Sequence, residues 1–122
     1  MNRFDRLLEK HNIEWAISTS SSFYFILNSP AKFGEIIVAY NNNVVVGAVE
    51  WTGPYSVLAV MGYDGNEITN GYCMVNDVPT FKLIDRSGKV INLTGSIPSF
   101  IHHNFPMIKL YSKSLKNKKT RR

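Results

Sequence analysis

The chain of 122 residues contains one cysteine, Cys73. That excludes an intrachain disulfide and any cysteine-based metal cluster, so packing alone must hold the fold. One domain of this length buries roughly two thirds of its unfolded surface, which is enough for a core without staples. Long hydrophobic runs are also lacking, and no apolar stretch approaches the ~18 residues of a membrane-spanning helix. The opening "MNRFDRLLEKHN" has no apolar run of the kind a secretory signal needs. With Met1 as the native start, general secretion is not the expected route.

Histidine is scarce: His11, His102 and His103 are the three present. Neighbours on a strand point to opposite faces, so His102 and His103 are not expected to share a metal. Walker-type and dinucleotide glycine motifs are absent, as is any nucleophile–base–orienter set. The reading is therefore no catalytic residues, no metal, no cofactor and no enzyme.

Charge is present, and it is divided by position. Residues 1–108 carry seven Lys/Arg against nine Asp/Glu, while the last fourteen, "KLYSKSLKNKKTRR", carry seven basic groups and no acid. A mildly acidic body thus ends in a basic tail, assigned to residues 112–122. Lys113, Lys116, Lys118, Lys119, Arg121 and Arg122 are candidate partner-binding residues. They suit either nucleic-acid phosphates or an acidic protein surface, including that of another copy. The body shows no aromatic–basic interleaving, which favours protein.

Phe4, Leu7, Leu8 and His11 recur at helical spacing, predicting a short amphipathic helix over residues 1–12. So short a helix must dock, as a cap on the body or an arm on a neighbour. Beyond it, residues 13–111 read as strands. "IEWAI" and "FYFIL" flank the turn "STSSS", and Ile36–Tyr40 pairs with Val44–Trp51 across Asn41–Asn43. Asparagine suits such a turn because it tolerates the left-handed conformation. Ala39, Gly47 and Ala48 are small enough for close approach between packed sheets. "TGPY" is a turn before the strand "SVLAVM". "VPTFKLID" and "KVINL" are joined by "RSG", and Pro79 belongs at a strand start or an edge. "IPSFIHHNFPMIKLY" is expected to cross a sheet end before a final short strand. The fold class is all-β: an antiparallel β-sandwich, immunoglobulin-like or jelly-roll-like, with one short helix.

The long polar loop from Tyr63 to Asp77 is the second candidate site, with Tyr63, Asp64, Asn66, Glu67, Tyr72 and Asp77 as partner- or ligand-binding residues. Asp64, Asn66, Glu67 and Asp77 are hard oxygen ligands, but "DGNEITNGYCMVND" lacks the EF-hand spacing, so calcium is not expected. Trp15, Phe23, Tyr24, Phe25, Trp51, Tyr55, Tyr63 and Tyr72 could supply a stacking platform, although alternation sends about half of strand aromatics into the core.

The chained segments "WAISTSSSFYFI", "GEIIVAYNNNVVVGAVEWTGPY" and "VLAVMGYDG…TNGY…NDVPTFKLID" resemble a β-sandwich module of marine bacterial surface proteins and phage virion-associated proteins. The resemblance covers about residues 15–95. Glu35 stands where that module usually has Asp, and Tyr63 where an acid is common beside Asp64. It implies a non-catalytic scaffold that displays loops or docks to partners. The expected function is a structural protein of a bacteriophage virion: a capsid decoration, connector or tail-associated component, assembled in the host cytoplasm. Its partners would be other virion proteins, copies of itself included, with nucleic acid at the tail a further option and no membrane. The alternative is an adhesion or carbohydrate-binding module at a cell surface, with a glycan as its ligand.

Overall fold

A computed structural model describes residues 2–112. The described residues fold as one short α-helix and eight strands in two sheets. Helix α1 spans Arg3–Lys10, and the Asn2 side chain caps it by accepting from the Asp5 amide at 2.8 Å. Sheet A has three strands in the order β4–β1–β7, and sheet B has five in the order β3–β2–β5–β6–β8. The strands are β1 Ser21–Asn28, β2 Ile36–Asn41, β3 Val44–Glu50 and β4 Ser56–Met61, then β5 Thr80–Ile84, β6 Val90–Thr94, β7 Met107–Lys109 and β8 Tyr111–Ser112.

Alternation explains the core. Tyr24, Ile26, Leu58 and Val60 of sheet A share one cluster with Ile37, Ala39, Phe81, Leu83 and Leu93 of sheet B. The opposite face of sheet B is covered as well: Ile36, Val38 and Ile84 form a second cluster against Phe4, Leu7 and Leu8 of α1. Strand β2 therefore lies between two apolar layers, and this is why "IIVA" is continuously apolar rather than alternating. The helical spacing in the sequence is borne out, and the helix caps its own body.

The β2–β3 hairpin turns through Asn42, which holds φ at 56°. A β-bulge follows, in which Ala39 faces Gly47 and Tyr40 faces Val45, leaving Val46 as the extra residue. The expected close approach occurs at Gly47, where a Cβ would lie 2.3 Å from the Ala59 carbonyl oxygen of β4. Gly95 repeats this on the other side, with 2.3 Å to the Lys109 carbonyl oxygen. The two sheets nearly touch along both flanks.

Three expectations are corrected. "IEWAI" is not a strand: the Ile13 amide donates back to the Leu8 carbonyl at 2.8 Å, and the donors that follow at Ala16 and just beyond the segment at Ser18 meet side chains instead of a ladder. The Ala16 amide donates to the Tyr72 hydroxyl at 2.7 Å and the Ser18 amide to the Met61 sulfur at 3.3 Å. Nor is the pairing wholly antiparallel, since β7 runs parallel to β1. The final apolar stretch also gives two short strands instead of one. Leu110 carries the chain from sheet A to sheet B between them, buried and donating to the Asn28 carbonyl at 2.8 Å.

Candidate docking site

The long loop joins β4 of sheet A to β5 of sheet B, and its polar residues tie it down. Asp64 accepts from the Thr19 amide at 3.0 Å, the Asn66 amide at 3.0 Å and the Thr69 hydroxyl at 2.9 Å. Amide donation from Thr19 and Asn66, reinforced by side chains, holds the Asp64 carboxyl far below the usual carboxylate range. A 3-10 turn over Glu67–Thr69 buries Thr69 beneath it. At the other end Asp77 accepts from the Met74 amide at 2.9 Å and from the Asn41 side chain at 3.4 Å. Asn41 also donates to the Gly71 carbonyl at 2.9 Å, so the hairpin tip braces the loop. Backbone bonds from the Phe100 amide to the Asp77 carbonyl and from the Asn76 amide to the Phe100 carbonyl fasten the exit.

The structure divides the loop candidates. Asp64 and Asp77 are spent on holding backbone, and Tyr72 is buried in the core with its hydroxyl on Ala16. Tyr63, Asn66 and Glu67 are exposed. Cys73 is buried beside them, its thiol pushed up to about 12 by burial first and then by the Asp77 charge. The structure brings no metal-holding group of three His, Cys, Asp or Glu together among the described residues. The candidates from Lys113 to Arg122 lie outside the described residues.

What the sequence reading missed is apolar. Ile68, Met74, Val75 and Val78 are each more than half exposed, alongside Tyr63 at 41 %. They sit among polar neighbours, and nothing in composition separates an apolar loop residue turned outward from one turned in. The one signal was their number in a segment with no regular period.

A second surface lies on the outer face of sheet A. Val57, Phe25 and Met107 stand opposite one another across its three strands. The Phe105 ring stacks on Phe23 at 5.7 Å between centroids and tilts against Phe25 at 6.5 Å. Phe105 and Met107 are more than half exposed. No described helix is long and apolar enough to cross a membrane.

No protein-family model, no curated protein and no solved structure matches the chain.

Proposed function

We propose that the chain is a non-enzymatic structural protein on a β-sandwich scaffold, docking on other proteins through the loop Tyr63–Val78. On the resemblance of residues 15–95, the proposed setting is a bacteriophage virion, as a capsid decoration, connector or tail-associated component. The observation that carries this reading is a loop fastened at both ends and along its length that nonetheless turns Ile68, Met74, Val75 and Val78 outward. A loop kept only for solubility would do the opposite.

Energetics favour such a loop as a docking element. Each of these side chains gains on the order of 1 kcal/mol or more when a partner removes it from water. Ordering a mobile loop costs about 1–2 kcal/mol per residue, and a pinned loop has met that cost before binding. Glycan recognition by stacking would need exposed ring faces, and burial of Tyr72 leaves Tyr63 as the loop's exposed ring. The basic residues from Lys113 to Arg122 are proposed to meet an acidic protein surface in the same assembly.

The test is a mass-spectrometric inventory of purified particles, with the parent chain and with Ile68→Asp combined with Val75→Asp. The parent is expected in the particle. The double variant is expected to be lost from it at an unchanged unfolding midpoint. Unchanged incorporation would remove the loop from the docking surface, and absence of the parent chain from particles would overturn the virion setting.

A further inference from the structure

Helix α1 meets the end of sheet B across a cleft of about 160 Å³. Arg3, Leu7, Lys10 and His11 recur at i, i+4, i+7 and i+8, so they share one face of the helix and its cap. That face is one wall of the cleft. The other wall is the start of β2 and the end of β5, with Gly34, Glu35, Asp85 and Arg86. Leu7, Ile36 and Ile84 close it below with apolar surface.

The acids and the bases of this cleft are used differently. Glu35 is buried, and its two oxygens accept from the Lys32 amide at 2.8 Å and the Arg86 amide at 3.0 Å. Asp85 accepts from the Ser87 hydroxyl at 2.7 Å and from the Ser87 and Lys89 amides at 2.9 and 3.0 Å. Both carboxylates are occupied in shaping turns. The bases keep donors in reserve. Arg3 gives one N–H to Glu50 at 3.0 Å, and Arg86 gives one to the Phe33 carbonyl at 3.0 Å. A guanidinium carries about five donors, so most of each fork is left over. Arg3–Glu50 is the one ion pair among the described residues, so Lys10, His11 and Arg86 pair with no carboxylate there. A Cβ on Gly34 would stand 2.9 Å from Arg3 Nη1, so the glycine makes the room in which that guanidinium lies.

We propose that this cleft binds a terminal phosphate group, its oxygens taken by Arg3 and Lys10 from the helix and by Arg86 from the sheet. His11 is a further donor in either protonation state. With Glu50 on Arg3 the fixed charges of Arg3, Lys10 and Arg86 balance those of Glu35, Asp85 and Glu50, so the cleft selects by donors rather than by net charge. Shape decides between oxyanions. A carboxylate is planar and pairs with one guanidinium fork, whereas a tetrahedral phosphate can be met from both walls at once. Size agrees: a cavity of roughly 150 Å³ accepts a benzene ring, and a phosphate group is slightly smaller. The apolar floor closes the cleft, so the phosphate must be an end group. A phosphate inside a nucleic-acid strand continues on both sides and does not fit.

The site stands apart from the docking loop, which enters β5 at Thr80, while the cleft lies beyond its other end at Ile84. Neither test therefore decides the other. The purified full chain is titrated with inorganic phosphate at an ionic strength held constant with chloride, and the amide resonances of Gly34 and Arg86 are followed. Their shifts are expected to saturate, with half-saturation below about 10 mM, and the unfolding midpoint to rise with phosphate. Lys10→Gln and Arg86→Gln are each expected to weaken binding by at least about tenfold, the loss of one charge-assisted hydrogen bond. Arg6→Gln removes the same charge from outside the cleft and is expected to bind as the parent does. Should Arg86→Gln lower the phosphate-free midpoint, Lys10→Gln still decides, because its side chain pairs with no described carboxylate. Adenosine monophosphate displacing phosphate at lower concentration would mark the ligand as a phosphomonoester, and the reverse order would mark it as the free ion. Shifts that never saturate, binding unchanged in both cleft variants, or an equal loss in Arg6→Gln would overturn the proposal. So would succinate binding as tightly as phosphate, or an oligonucleotide without terminal phosphates displacing it.

Discussion

Asp64 shows how one carboxylate can set the shape of a loop. Its two oxygens gather the Thr19 and Asn66 amides and the Thr69 hydroxyl, joining the segment before β1 to the loop after β4. Those donors favour the ionised form, which is why its pKa is depressed; the Thr19 amide is the leading cause. A depressed folded pKa contributes stability above the unfolded value of about 3.9, and that stability is lost as pH falls from there towards the folded value. Asp85 is shifted the same way, chiefly by the Ser87 side chain. Stability is therefore expected to be flat at neutral pH and to decline below about pH 4. Asp64→Asn, which turns an amide NH₂ towards one set of donors, should lower the neutral-pH midpoint and flatten the acid limb. A denaturation series from neutral to acid pH measures both, and an unchanged acid limb in the variant would contradict the assignment.

Among the elements, legibility followed the strength of the period. Helix α1, the β2–β3 hairpin, and strands β4, β5 and β6 were readable because spacing, turn residues and β-branching agreed. "IEWAI" misled because Ile13, Trp15 and Ile17 alternate as a strand would. In fact Ile13 packs under α1, Trp15 touches both clusters, and Ile17 stands in solvent. Strand β7 has three residues, and nothing so short declares its direction. The outer face of sheet A was half legible: "FYFIL" is apolar at both parities, yet the sequence offered only one helix to cover two outer faces. Gly47 was read correctly, for its packing and not for its conformation. A methyl there would press on the Ala59 carbonyl of a different sheet, and a backbone atom cannot swing aside as a side-chain tip can. Gly47→Ala is expected to destabilise by about 1–3 kcal/mol, the range for overpacking. Urea denaturation measures it, and a change near zero would mean that the sheets can separate there freely.

At the scale of the whole molecule, the question is whether two sheets and one helix unfold together. The sheets share one core cluster, and after β6 the chain returns to sheet A as β7 and then crosses to sheet B as β8. Leu110 sits at that crossing, 1 % exposed, with its amide bound to Asn28 of β1. Its side chain is buried in the cluster that residues of both sheets share. Leu110→Ala is expected to remove about 2–5 kcal/mol, a large part of the 5–15 kcal/mol that holds a domain of this kind. If the core is one unit, that loss appears equally in every signal. Trp51 is buried in the shared cluster and reports on it by fluorescence, while far-ultraviolet circular dichroism reports on all strands. The two transitions are expected to coincide in the parent chain and to shift together in the variant, with an unchanged denaturant slope. A variant whose fluorescence and dichroism transitions separate would show that the crossing at Leu110 couples two units, each able to persist when the other has melted.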